Sequence, residues 1–207
     1  MRSLGVLGCL LVAACGFGDN NPHVVDSPPP PPDVPSGDEL IVLSEYVEGT
    51  SNNKAIELHN EGTTTLDLAA GTCEVRVYFN GDTDPFRFAL TGTLDPDAVL
   101  VLCHSSADAA LLPHCDLLTD VMNWNGDDGV EIACHGATLD VLGQVGVDPG
   151  TAWSNELGTA TTLDTTLRRL CSVKEGDHDP TNPFALETWA ALPLDTFDDL
   201  GLPTCAQ

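Results

Sequence analysis

The sequence predicts an all-β fold, a β-sandwich rather than a helix bundle, and three features of its 207 residues point that way. Glycine and proline are abundant, at 19 and 15 residues, while aromatics make up 5% and charged residues 19%, a balance that suits strands and turns. Apolar side chains recur with a period of two along most of residues 39–207. Gly, Asn and Asp turns interrupt these runs at short intervals, and no sustained helical pattern competes with them. Short alternating strands of this kind bury their apolar faces by packing one sheet on another.

Each element follows from its local pattern. Leu40 to Tyr46, Ala55 to His59, Ala98 to Cys103, Val130 to Cys134 and Leu139 to Leu142 are short strand candidates, with His135-Gly136 turning between the last two. Val75, Val77 and Phe79 alternate with Glu74, Arg76, Tyr78 and Asn80; Asn80-Gly81-Asp82 then supplies turn chemistry before Phe86, Phe88 and Leu90 alternate again. A hairpin with an open loop is expected there. Ser105 to Leu112 is the one segment predicted to take a helical turn, capped by Ser105 or Ser106.

Ahead of this domain the chain reads as processing and spacing segments. Arg2, the apolar run Leu4 to Ala14 and the small residues Ala13 and Ala14 compose a signal peptide over residues 1–14, too short to span a bilayer. Val12-Ala13-Ala14-Cys15 resembles a bacterial lipobox, which implies cleavage before Cys15 and lipidation of that cysteine. Residues 15–38 carry Pro28 to Pro32, Pro35 and little to bury, so an extended tether is expected between the lipid anchor and a domain at 39–207. The expected location is the cell envelope. Gly16 carries no retention charge, which by resemblance to known lipoprotein sorting implies the outer membrane.

Of eight cysteines, Cys9 leaves with the signal peptide and Cys15 takes lipid. Six thiols in an exported chain predict three disulfides, and sequence alone permits fifteen pairings. Short reach favours Cys103 with Cys115 and Cys171 with Cys205, which leaves Cys73 to join Cys134 across two strand ends. Each bridge contributes about 2 to 4 kcal/mol by restricting the unfolded chain. Cys103, His104, His114 and Cys115 are zinc-ligand types, but adjacent Cys-His pairs rarely turn toward one ion and the compartment is oxidising.

Several strings carry a family resemblance. Ser44-Glu45-Tyr46-Val47-Glu48-Gly49 and Ser51-Asn52-Asn53-Lys54-Ala55-Ile56-Glu57-Leu58 resemble the first two strands of bacterial lamin-tail domains. Asn125-Gly126-Asp127-Asp128, Asp140-Val141-Leu142-Gly143, Asp148-Pro149-Gly150 with Trp153, Leu167-Arg168-Arg169, and Asp195-Thr196-Phe197-Asp198-Asp199-Leu200-Gly201 follow in the family's order. The resemblance covers nearly all of residues 39–207. It implies an immunoglobulin-like sandwich, as in nuclear lamin tails and in bacterial surface and secreted proteins, sometimes beside nuclease domains. It brings no catalytic residues. His59 and Leu170 depart from the family's pattern, which has an aromatic residue and a lysine there.

The charged members of those strings have a physical reading of their own. Glu45, Glu48, Lys54, Glu57, Arg168 and Arg169 are unlike charges in otherwise apolar strands, and they are expected to form a structural ion-pair network. An acid/base cluster is disfavoured because the arginines would hold the carboxylates ionised. Asp127 and Asp128 are either turn caps or calcium ligands, the latter with Asp148 or with Asp82 and Asp84. Calcium is the only cofactor these acids suggest. Trp124, Trp153 and Trp189 are either core anchors or a carbohydrate platform.

No nucleophile elbow, P-loop, zinc-protease helix or dinucleotide fingerprint occurs. The expected function is therefore non-catalytic: an envelope lipoprotein displaying its sandwich for adhesion or for binding a protein or surface ligand. The rival class is a metal-dependent hydrolase, or a nuclease-associated accessory domain, working through acidic loops. Charge speaks against nucleic acid as a partner, because 32 acids oppose 7 Lys and Arg for a net of -25. The chain is expected to pass unretained through immobilised duplex DNA at moderate salt and to leave DNA uncut with or without divalent metal. Salt-sensitive retention, or a nuclease activity lost on mutating Glu45 or Glu57, would contradict this.

Overall fold

The computed structural model describes residues 40–207 and is all-β. The segments expected to be a signal peptide at 1–14 and a tether at 15–38, with the expected lipidation at Cys15, lie outside the described residues. Its strands are β1 (Ile41–Glu48), β2 (Lys54–Asn60), β3 (Leu66–Asp67), β4 (Glu74–Tyr78), β5 (Phe86–Ala89) and β6 (Thr93–Leu94). These are followed by β7 (Val99–His104), β8 (Leu117–Thr119), β9 (Gly129–Cys134), β10 (Ala137–Leu142), β11 (Thr165–Arg169) and β12 (Trp189–Leu192). One sheet runs β12-β11-β1-β2-β7-β8, a second runs β10-β9-β4-β5, and β3 pairs with β6 alone. All pairings in the two larger sheets are antiparallel except β7 with β8.

Alternation places the core between the two large sheets. Ile41, Leu43, Tyr46, Ile56, Leu58 and Leu102 from the first meet Val75, Val77, Val130, Ile132, Leu139 and Leu142 from the second. Trp124 closes this core, stacked on Tyr46 with ring centroids 5.3 Å apart and donating from Nε1 to the Val47 carbonyl at 3.0 Å. The opposite face of the larger sheet is also covered. Val47, Ala55, Val101 and Cys103 pack there against Ala107, Leu111, Phe197 and Leu200, which come from the β7–β8 connection and the C-terminal segment.

The helical turn expected at 105–112 is not an α-helix. The segment makes successive turns, then a three-residue 3-10 turn at Leu112–His114. Its amides at Ala110 and Leu111 are accepted by the Asp108 side chain, which fixes turns rather than propagating a helix. Three disulfides cross-link the domain: Cys73–Cys134 between the ends of paired strands, Cys103–Cys115 across the β7–β8 connection, and Cys171–Cys205 at the C-terminus.

Two β-bulges meet where the large sheets are joined. β1 shifts register between Leu43 and Glu45, and β10 shifts between Thr138 and Asp140. Between these irregularities lies the fully buried Asp140, whose Oδ2 accepts the Leu43 amide at 2.8 Å and the Arg169 guanidinium. Its Oδ1 accepts the amides of Val141 at 2.9 Å and Asp177 at 2.8 Å. Arg169 donates to the Leu43 carbonyl at 3.0 Å and lies 4.0 Å from the centroid of the Trp189 ring. Glycine is required at 176, because a Cβ there would overlap the Leu139 carbonyl and the Asp140 side chain. Removing one partner of such a buried pair leaves an uncompensated charge. Arg169→Met is expected to lower unfolding free energy by about 3 to 5 kcal/mol in urea denaturation, and a loss below about 1 kcal/mol would show the pair to be dispensable.

Candidate functional site

The predicted charged cluster divides into three separate structures. Lys54 donates to Glu48 at 2.6 Å and to the Gly49 carbonyl at 2.7 Å, tying the β1–β2 turn, while the other Glu48 oxygen accepts the Asp164 amide. Arg169 belongs to the Asp140 clamp and bonds none of the three glutamates. Glu45, Glu57 and Arg168 do come together, on the face of the larger sheet turned away from the main core. Glu45 stands opposite Glu57 on β2 and opposite Arg168 on β11.

Arg168 Nε donates to Glu45 at 2.7 Å, and its other nitrogens reach Asp199 at 2.7 Å and Asp198 at 3.6 Å. Among the described residues no lysine or arginine forms an ion pair with Glu57. Its oxygens instead accept the Ser44 hydroxyl and the Gly201 amide, each at 2.7 Å. Burial pushes the Glu57 carboxyl up to about 7, against the opposing influence of those hydrogen bonds. Burial raises Glu45 as well, with Arg168 pulling the other way.

This pair lies beneath a strap formed by residues 195–201. Asp195 accepts from the Thr50 amide at 2.9 Å, the Thr50 hydroxyl at 2.6 Å and the Asn53 amide at 3.2 Å. Asn53 also bonds Asp108, so one asparagine links strap, turn and β7–β8 connection. The expectation that arginine would hold these carboxylates ionised is overturned: Arg168 bonds Glu45 but not Glu57, and burial outweighs it and raises both carboxyls.

Asp127 and Asp128 lie together in a buried turn. Asp128 accepts the amides of Asn80 at 2.9 Å and Asn125 at 3.0 Å, while burial and the charges of Asp127 and Asp148 raise its carboxyl. Trp153 Nε1 donates to the Asp128 carbonyl at 3.2 Å, and a Cβ at Gly143, where φ is +88°, would press on both groups. These are the bonds of a turn cap. Among the described residues no three His, Cys, Asp or Glu side chains converge as metal ligands. Cys103 and Cys115 are bonded to each other, so neither supplies a thiolate for zinc. The three tryptophans are dispersed: Trp124 in the core, Trp189 under Arg169, and Trp153 edge-on to Phe184.

Sequence reasoning missed two features. Glu131 on β9 organises the outer face of the second sheet, accepting Tyr78 at 2.5 Å, Arg76 at 3.1 Å and Thr138 at 2.7 Å, while Arg76 and Arg87 share Glu74. The second feature is a groove of about 510 Å³ at the mouth between edge strands β5 and β8, lined by Phe79, Phe86, Thr119, Asp120, Val121 and Asn123. Phe86 is 61% exposed although it continues an alternating apolar run. A smaller hollow of about 230 Å³ adjoins the Cys73–Cys134 bridge, beside Leu66, Asp67 and Ala70.

The sequence matches no family model and no curated protein.

Glu57 makes a testable contribution to pH dependence. Its folded pKa lies above the ordinary 4.5, so between pH 4.5 and 7 the folded state holds a proton that the unfolded state has lost. Stability from this group is present below pH 4.5 and is lost as pH rises through 7. Glu57→Gln, which keeps an acceptor for Gly201 and a donor for Ser44, is expected to remove a fall on the order of 3 kcal/mol across that window. Identical slopes of unfolding free energy against pH in both proteins would refute the assignment.

Proposed function

We propose that the chain is an exported lipoprotein, anchored through Cys15, that displays a lamin-tail-like, immunoglobulin-like sandwich at the cell envelope for adhesion or for binding a protein or surface ligand, without catalysis. One observation carries this reading: each of the six described Lys and Arg residues is paired with an acid of its own domain. Four of these cations are largely buried, and the two exposed ones, Arg87 and Lys174, each lie on a glutamate, which leaves no basic stripe to attract phosphate. Buried Glu57, Glu131 and Asp140 are likewise engaged by arginine, hydroxyl or backbone N–H groups, which supports a scaffolding role. The ordered strings from Ser44 to Gly201 and the packing of two β-sheets on one core support the lamin-tail reading. Three disulfides suit an oxidising compartment.

The anchor can be tested apart from the fold. Lipid addition requires the Cys15 thiol, and several acyl chains hold a protein durably, at about 0.8 kcal/mol per buried methylene. Cys15→Ser is expected to move the protein from membrane to soluble fractions with all three disulfides intact by non-reducing mass analysis. Unchanged recovery in the membrane fraction would overturn the lipoprotein reading.

A further inference from the structure

We propose that the groove between β5 and β8 takes an extended, basic-ended peptide segment of another protein, which lays an apolar face on Phe79, Phe86 and Val121 and adds a strand beside β5. The proposal rests on the display reading above and names the partner's chemistry.

The groove is built from features that a folded domain usually conceals. Among the described residues β5 pairs with β4 alone and β8 with β7 alone, so the two sheets end in edge strands at this mouth. An open edge offers unpaired N–H and C=O groups to an incoming strand. On β5, Phe86 and Phe88 stand opposite the inward-facing Val77 and Val75, which puts both phenylalanines on the inner side. Phe88 packs on the core, whereas Phe86 projects into the mouth and meets Phe79 edge-on, with centroids 5.3 Å apart. A strand laid beside β5 would direct alternate side chains onto these rings and onto Val121. With four residues, β5 matches a partner segment of similar length.

Charge selects the occupant. Asp120 lines the groove, and exposed Asp82 and Asp84 lie in the loop that joins Phe79 to Phe86. Arg87, the nearby cation on this edge, is held on Glu74, which Arg76 shares. An acid in the groove and two more in the loop beside it suit basic residues flanking an apolar centre. A second copy of the chain would bring the same aspartates and a net charge of -25 against them.

The test uses the full chain and a labelled peptide, Lys-Lys-Val-Thr-Val-Thr-Val-Lys-Lys, followed by fluorescence anisotropy. Saturable binding is expected, about ten-fold weaker for Phe86→Ser and several-fold weaker for Asp120→Asn, both at exposed positions. The same peptide with glutamate ends, or with a Gly-Ser centre, is expected to bind at least about ten-fold less well. No saturable binding, equal binding of the Gly-Ser peptide, or full affinity in Phe86→Ser would overturn the proposal. Sedimentation showing a dimer that Phe86→Ser dissociates would assign the groove to a second copy and overturn it too. The fractionation of Cys15→Ser reads the anchored-display proposal separately, so failure here removes this partner and leaves that reading standing.

Discussion

The carboxylate of Asp140 is taken wholly out of water, and that cost is what the surrounding fold is arranged to offset. An isolated buried charge would cost several kcal/mol, yet here two oxygens receive three backbone N–H groups and a guanidinium. Those donors come from β1, β10, β11 and the loop at Asp177, so the acid can be satisfied only when both sheets and that loop are in place. The bulges in β1 and β10 follow from this. Each takes a residue out of ladder register, and together they place Leu43 and Asp140 face to face between the sheets. A buried ion pair contributes little net energy compared with an apolar substitute, whereas removing one partner leaves a buried charge uncompensated.

The same economy of charge governs the surface. Six cations are committed to acids within the domain, on the strap, the β1–β2 turn, the clamp, the outer face of the second sheet and the Glu61–Lys174 contact. What remains outward is an excess of carboxylate, which keeps the domain soluble and discourages contact with its own kind. At the β12 and β10 side, the clamp and Trp189 join the sheets. At the β5 and β8 side no comparable bond closes them among the described residues, and the groove with Phe86 lies there. The fold is thus fastened along one side and open along the other.

Much of the strand content was legible because β4 buries alternate residues, which imposes a period of two, while β1, β2 and β9 are buried on both faces and read as short, largely apolar runs. β1, β2, β4, β5, β7, β9 and β10 all fall on segments read as alternating or apolar. β11 was harder to see because Thr165, Thr166 and Arg169 are buried on account of hydrogen bonding rather than hydrophobicity. β3, β6 and β8 are two or three residues long, too short for any period to register. Residue types in the charged strings announced ion pairs, but partner choice depends on sheet order and register, which alternation does not encode. Arg169 therefore went to Asp140 and Glu57 to a hydroxyl and an amide. Asp140 did leave a signal, as a lone charge inside Leu139-Asp140-Val141-Leu142. Phe86 left none, since an apolar residue on an edge strand has the same pattern as one in the core.

Native-state hydrogen exchange at the amides of Leu43, Val141 and Asp177 tests most directly whether Asp140 fastens the two sheets. If the clamp opens only when the domain unfolds, all three amides exchange with the same opening free energy as the core amide of Ile132. Exchange of Leu43 or Asp177 through a local opening well below the global unfolding free energy, with Ile132 still protected, would contradict that account.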